Sequence, residues 1–263
     1  LTALYYGREL PEPAYQYKDF SQWQQQPGRR DALKRQERFW LDRFSDDVPV
    51  LDLPADAARP AKRDTAGGGF SHILDETETA GLKALAKDTG TTFFMVFLGI
   101  VDVLLSKLSG LEDITVGTPV AGRRGDGLDQ MIGVFINTLA LRQYPRHDKP
   151  FDAFLSEIRK NTLAAFENQE YPFEDLVEQL NLARDAGRNP LFDVMFFTET
   201  LAEREETTLL TPYDFDWNVT KFDLTLAAMD RGDTVEVFWK YAASLFKPQT
   251  VQRFGTYLKT VIN

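Results

Sequence analysis

The sequence predicts an α/β protein: a mixed β-sheet flanked by helices. Three observations point there. Amphipathic stripes with helical spacing recur along the chain. Short β-branched or alternating runs, concentrated in the last third, read as strands. No internal repeat is evident in the 263 residues, so the helices and strands belong to one unit rather than to an array.

Taken in order, residues 1–45 read as helical. Leu33, Trp40 and Phe44 share one face of the stretch from Arg29 to Phe44, and Trp40 and Phe44 form an i,i+4 pair. Residues 46–69 change character: three prolines and three consecutive glycines predict a long irregular surface connection. From residue 70 the pattern is regular again. A strand is expected near Phe70–Leu74. A helix carrying Leu82 and Leu85 follows and is closed by Gly90. Thr91 or Thr92 caps the next helix, Phe93–Leu108, which is apolar on most sides and therefore expected to be buried. Asp113–Thr118 and Gly133–Arg142 read as strands. Residues 151–168 form a helix with Phe151, Phe154, Leu155, Ile158, Ala165 and Phe166 along one stripe, and Phe173, Leu176, Val177 and Leu180 make a shorter one. LFDVMFFT, DLTLAAM and TVEVFWKY are strand candidates; in the last, Val235, Val237, Trp239 and Tyr241 alternate with Glu236, Phe238 and Lys240. LAEREETTLL between them reads as an exposed loop. Pro248 suits the first turn of a final helix.

Composition narrows the function classes. The net charge is −10, which gives no obvious field for a nucleic acid. There is no cysteine, so disulfides, thiolate nucleophiles and zinc-thiolate sites are excluded. No GxSxG, GxxxxGK[ST], dinucleotide fingerprint or HExxH occurs. The longest apolar run, Phe93 to Val101, is too short to span a bilayer, and LTALYYGREL does not resemble a signal peptide, so a cytoplasmic protein without membrane contact is expected. There are only two histidines. His72, in FSHILDE, reads as structural or half-exposed; His147, in YPRHDKP, reads as solvated, without a neighbour to tune it. No metal site is expected.

Four separated segments carry a more specific pattern: YKDFSQW (Tyr17–Trp23), IGVFINTLALR (Ile132–Arg142), NQEYPFEDL (Asn168–Leu176) and RDAGRNPLF (Arg184–Phe192), with GTPVAGR (Gly117–Arg123) upstream of the second. In this order and spacing they resemble the motifs of nonribosomal peptide synthetase condensation domains, within the chloramphenicol-acetyltransferase-like acyltransferases. The resemblance covers essentially the whole chain. Gly187 stands where that family usually has serine. The family's active-site motif, HHxxxDG, precedes the YxDFxxW motif and is not in this sequence.

The resemblance therefore implies the C-terminal lobe of a condensation domain (residues 70–263), preceded by an inter-lobe helical linker (1–45) and the connection 46–69, with no catalytic residue in this chain. In a complete domain two lobes enclose a tunnel. Aminoacyl groups enter as thioesters on the 4′-phosphopantetheine arms of donor and acceptor carrier proteins, and a peptide bond forms. No directly bound cofactor is implied. The partners implied are the two carrier proteins, the N-terminal lobe and a neighbouring adenylation domain. Arg123 is implied to pair with the aspartate of HHxxxDG across the lobes, with Arg124 as a competitor. Asn137 either orients the substrate arm or a tunnel backbone, or is an internal amide that ties down neighbouring backbone. Tyr17, Asp19 and Trp23 read as packing between linker and lobe, with Asp19 capping or pairing locally. Asn168, Gln169, Tyr171 and Pro172 read as a cap and turn with a possible tunnel-wall role. Arg184 and Asp185 can pair across a turn, and Arg188 and Asn189 lead into a strand. Thr138 and Arg142 carry no assignment. Arg29, Arg30, Lys34, Arg35 and Arg38 form the densest basic stretch, read as a solvated helix face or a carrier contact.

Two other readings stay open: a non-catalytic carrier-docking or exchange module, and a stand-alone acyltransferase of the same superfamily. The missing histidine motif separates the first from a complete enzyme, and IGVFINT and RNPLF weigh against the second. DITVGTPVAGR and IGVFINTLALR lean towards domains that accept an L-configured donor.

Overall fold

A computed structural model describes residues 2–10, 12–123, 127–129, 131–182, 185–200 and 218–263. Arg124, Arg184 and the LAEREETTLL segment lie outside the described residues.

The centre is a six-stranded mixed sheet. Its strands are β1 (Gly67–Leu74), β2 (Ile114–Val120), β3 (Asn137–Gln143), β4 (Val194–Thr200), β5 (Leu224–Asp230) and β6 (Val235–Ala242), in the spatial order β1-β6-β5-β4-β2-β3. The pairs β2–β4 and β4–β5 are parallel and the rest antiparallel. The helices are α1 (Thr2–Tyr5), α2 (Tyr17–Gln24), α3 (Pro27–Arg43), α4 (Glu76–Asp88), α5 (Phe93–Ser109), α6 (Phe151–Glu167), α7 (Phe173–Leu180) and α8 (Pro248–Ile262). The expected α/β class with a helix-flanked mixed sheet is what is found.

The helix α5 organises the core. Thr92 caps it by accepting from the Met95 N–H at 3.2 Å, and Gly110 ends it in the left-handed region. Residues from Met95 to Leu105 are buried almost without interruption, as an all-round apolar helix requires. It packs against α4, α6 and α8 and lays Phe97 and Phe94 on Phe196 of β4, with near-parallel rings 5.6 and 5.5 Å apart. A fully buried side chain such as Phe97 or Phe196 contributes about 1.5–3 kcal/mol. Among the described residues, no single helix is long and apolar enough to cross a membrane.

Two strand boundaries differ from expectation. Gly67–Gly69 belong to β1 rather than to the irregular connection, paired with Tyr241 and its neighbours on β6. The glycines are needed by packing: a Cβ on Gly68 would lie 2.4 Å from the Tyr241 ring. Conversely, β3 begins at Asn137, not at Gly133, because its partner β2 ends at Val120 and leaves residues 132–136 nothing to pair with. The stretch 1–45, expected to be helical, is helical only over Thr2–Tyr5, Tyr17–Gln24 and Pro27–Arg43, with residues 6–10 and 12–16 outside any helix; Trp40 and Phe44, placed on one face, are both buried.

Candidate functional site

Three of the four sequence motifs, with the Gly117–Arg123 segment, converge on one end of the sheet, where β2 finishes and β3 begins. The helix α2 is capped by Asp19, whose Oδ2 accepts the Gln16 N–H at 2.8 Å. That helix presents Tyr17, Phe20 and Trp23 along one side. Tyr17 Oη donates to the Val134 carbonyl at 2.7 Å, and the Tyr17 and Phe20 rings pack on Phe135 with centroids 5.3 and 4.7 Å away. The Tyr17 ring lies so close to Gly133 that a Cβ there would meet it at 2.1 Å. The first and second motifs are thus one packed unit, and Gly133 is the residue that allows the contact.

Phe135 is the hub. Arg123 stacks over its ring, with Cζ 4.2 Å from the centroid. Arg123 Nη1 donates to the carbonyl of Met131 at 2.8 Å and to that of Leu128. The guanidinium therefore braces its own loop, and no carboxylate pairs with it among the described residues. Residues 132–136 alternate: Phe135 points in, whereas Ile132, Val134 and Ile136 are 94%, 76% and 69% exposed. Three large aliphatic side chains form an apolar ridge held on a braced backbone.

Asn137 decides between its two readings. Its Nδ2 donates to the carbonyls of Gln169 and Tyr171, both at 2.8 Å. Its Oδ1 accepts from the Thr138 and Phe173 N–H groups at 2.8 and 3.2 Å. Both amide protons and the oxygen are engaged, so the side chain clamps the 169–173 turn onto β3. The turn is held from its other side by α3. Gln36 Oε1 accepts from the Glu170 and Tyr171 N–H groups at 3.0 and 3.1 Å, and Trp40 Nε1 donates to the Asn168 carbonyl at 2.8 Å. Arg29 pairs with Glu170 at 2.5 Å and stacks on Trp23 at 4.6 Å, so this member of the basic stretch is part of the framework. Asn168 and Gln169 close α6 by donating to Ala164 and Phe166 carbonyls, and Pro172 starts α7. Tyr171 is buried, and burial pushes its hydroxyl up to about 12, with Glu37, Asp175 and Glu178 adding to the shift.

The fourth motif anchors the opposite end of the sheet. Asp185 Oδ1 accepts the Gly187 N–H at 2.7 Å. Arg188 pairs with Asp193 at 2.9 Å and with Asp52. Asn189 N–H donates to Asp193 Oδ1 at 2.9 Å. Asp193 and Asp223 immediately precede the parallel strands β4 and β5, whose register sets Val194 beside Leu224. Arg59 grips Asp223 with both terminal nitrogens, and Arg63 reaches Asp193 at 3.3 Å and the Lys221 carbonyl at 2.6 Å. Burial, then repulsion from Asp223, raises the Asp193 carboxyl above its usual range, opposed by its Asn189 and Arg188 bonds.

Sequence reasoning missed Arg59, Arg63, Asp193, Asp223 and Arg142. Arg142 is only 1% exposed and engages Asp113 in bidentate fashion, with a further bond to Asp46 at 2.6 Å. The repeated Phe-Asp before two strand candidates, in LFDV and KFDL, could have drawn attention to Asp193 and Asp223. Neither histidine lies in these networks. His72 packs against Phe70 and Trp239, and burial followed by Lys259 lowers its pKa. His147 is not simply solvated: Glu112 accepts its backbone N–H at 2.9 Å and contacts its Nδ1.

A braced apolar ridge, a stacked guanidinium and a clamped turn, built from the first three motifs and the Gly117–Arg123 segment, with the fourth motif anchoring the far end of the same mixed sheet, define a condensation-type framework. The model of the Condensation domain family matches residues 1–263, and the chain belongs to that family. It is similar to bacitracin synthase 3 of Bacillus licheniformis, 41% identical over 262 residues that make up 98% of this chain and 4% of that protein. The chain therefore spans a small part of this curated relative. Its fold matches part of a four-domain nonribosomal peptide synthetase bound to AMP and glycine, with TM-score 0.79 and 26% identity over 86% of this chain and 19% of that one. It also matches the X-domain from teicoplanin biosynthesis, with TM-score 0.88 over 99% of this chain and 62% of that one; at 24% identity that likeness is one of fold.

Proposed function

We propose that the chain is the C-terminal lobe of a chloramphenicol-acetyltransferase-like condensation domain. Such a domain forms a peptide bond between groups carried as thioesters on the 4′-phosphopantetheine arms of donor and acceptor carrier proteins. In this reading the lobe supplies a tunnel wall and part of each docking surface, in a cytoplasmic synthetase that also holds an adenylation domain. The chain alone is inactive, because the HHxxxDG motif is not in its sequence. The observation that carries the reading is the ridge of Ile132, Val134 and Ile136. Exposed aliphatic side chains on a backbone fixed by Tyr17 and Arg123 favour a covering partner over water. The chain covers only 62% of the teicoplanin X-domain whose fold it shares, which supports a further portion of such a fold as that partner.

Arg123 keeps its proposed cross-lobe role in modified form. Its Nη1 is used by its own loop, while Nη2 and Nε carry no partner among the described residues and can meet an incoming carboxylate. Asn137 acts as an internal clamp rather than a substrate contact. The reading is tested by titrating the chain with the HHxxxDG-bearing portion of a related condensation domain in a calorimeter. The expected result is a stoichiometric complex that Val134→Glu abolishes and Arg123→Ala weakens about tenfold, in the range for losing one charged hydrogen bond at an interface. Absence of binding, or binding indifferent to Val134→Glu, contradicts it.

A further inference from the structure

A second concave surface lies at the end of the sheet opposite the ridge. It is a groove of about 1410 Å³ between α7, the 185–193 segment and the connection at 48–51. Val48, Leu51, Val177, Leu191 and Phe192 give it apolar walls. Its charges do not cancel: Arg188 is taken by Asp193 and Asp52, whereas Glu174, Glu178 and Asp185 have no ion-pair partner among the described residues. The neighbouring Asp175 carboxyl is raised by burial and then by the charges of Glu174 and Glu178.

Two independent features point to an occupant. Thr115, 5% exposed, lines the groove, and its Oγ1 has no hydrogen-bond partner. It shares a face of β2 with Gly117, whose Cβ would meet the Phe192 ring at 2.1 Å, so its side chain lies on the Phe192 side of the sheet where the groove is. A buried hydroxyl left unpaired is unfavourable, and a polar occupant of the groove relieves it. Secondly, the groove wall at 48–51 is chain without regular structure, and Val48 precedes a proline, which biases it to extended backbone. The N–H groups of Val48, Val50 and Leu51 have no partner among the described residues. Leu191, on the facing wall, is held at φ 65°, a conformation costly for a branched side chain.

We infer that this groove binds an extended peptide segment carrying alternate aliphatic and basic side chains, by strand addition along 48–51. The backbone of the segment pairs with the Val48 and Val50 N–H groups, which extended chain sends to the same side, its aliphatic side chains fill the space between Leu51, Val177 and Phe192, and its cations meet Glu174, Glu178 and Asp185. A small amphipathic cation would satisfy the walls and the charge but not the unpaired backbone. The inference does not depend on the inter-lobe reading, since it concerns the other end of the sheet.

The test is fluorescence anisotropy of the 263-residue chain with a labelled octapeptide of alternating leucine and lysine. Its comparison probes have glutamate in place of lysine, or N-methylated backbone at alternate residues. Each change is expected to weaken binding at least about tenfold. On the protein side, Glu174→Gln with Glu178→Gln should weaken the lysine probe about tenfold, while Asp42→Asn with Asp233→Asn, exposed carboxylates elsewhere, should leave it within about twofold. Equal binding of the N-methylated or glutamate probe, no binding of the lysine probe, or equal effects of the two double variants would overturn the proposal. The probe-side comparisons hold whether or not a protein variant folds.

Discussion

Asn137 Nδ2 donates to the carbonyl of Tyr171 at 2.8 Å, across 34 residues of chain, and so binds the second motif to the third. The same amide group makes its other bonds to Gln169, Thr138 and Phe173. Asn137→Asp keeps the shape but can no longer donate to two carbonyls. It should destabilise the chain by about 2–4 kcal/mol, more than Asn137→Ser, as read from urea unfolding. Equal stability of Asn137→Asp and the parent would show that the clamp carries no weight.

Asp102 sits inside α5, fully buried, with neither oxygen hydrogen-bonded. Burial raises its pKa well above the usual carboxylate range, so the fold keeps its proton at pH values where the unfolded chain has already lost it. The folded state then binds more protons, and stability falls as pH rises above the unfolded pKa. Asp102→Asn removes that loss. Its advantage over the parent should grow by up to ~1.4 kcal/mol per pH unit between pH 4 and the folded pKa. Parallel stability curves for the two proteins would refute the assignment.

His72 works in the opposite direction. Its folded pKa is depressed, by burial first and then by Lys259, which also contacts Glu78 at 3.2 Å. The unfolded chain takes up the proton first, so stability is lost as pH falls below the unfolded value of about 6.5. His72→Phe should flatten the curve below pH 6.5 in thermal melts; an unchanged slope there would mean that His72 protonates freely in the fold.

Gly187 replaces the serine usual in the resembling motif. A Cβ here would lie 2.6 Å from the Pro60 carbonyl oxygen, while the Gly187 carbonyl accepts from Arg59 at 3.1 Å. Restoring serine must push the 59–60 backbone away and strain the Arg59–Asp223 pair. Gly187→Ser is therefore expected to cost about 1–3 kcal/mol by differential scanning calorimetry. A variant as stable as the parent would indicate that the 59–60 strap yields freely.

These sites mark the boundary of what the sequence makes legible. The alternation of Val235, Val237, Trp239 and Tyr241 and the all-round apolarity of α5 are local patterns, and both appear where expected. The first three motifs also come together, because their aromatic and amide residues pack on one another. Alternation puts Arg142 on the face of β3 opposite Leu139 and Leu141, and nothing local marks that face as covered. In the fold, β3 is an edge strand, but its second face is covered by the end of α3 and residues 46–47. The Arg59–Asp223 pair, separated by 164 residues, leaves no local trace in either segment. The glycines of β1 look like a linker until the Tyr241 ring is placed over them.

In the proposed reading this chain is one half of a peptide-forming site and supplies no catalytic histidine of its own. Mass spectrometry of the products from two aminoacyl-loaded carrier proteins tests it most directly. The chain alone should yield no dipeptide, and addition of an HHxxxDG-bearing portion of a related condensation domain should yield it, with Val134→Glu reducing the yield at least about tenfold. Dipeptide formed by the chain alone would contradict the account.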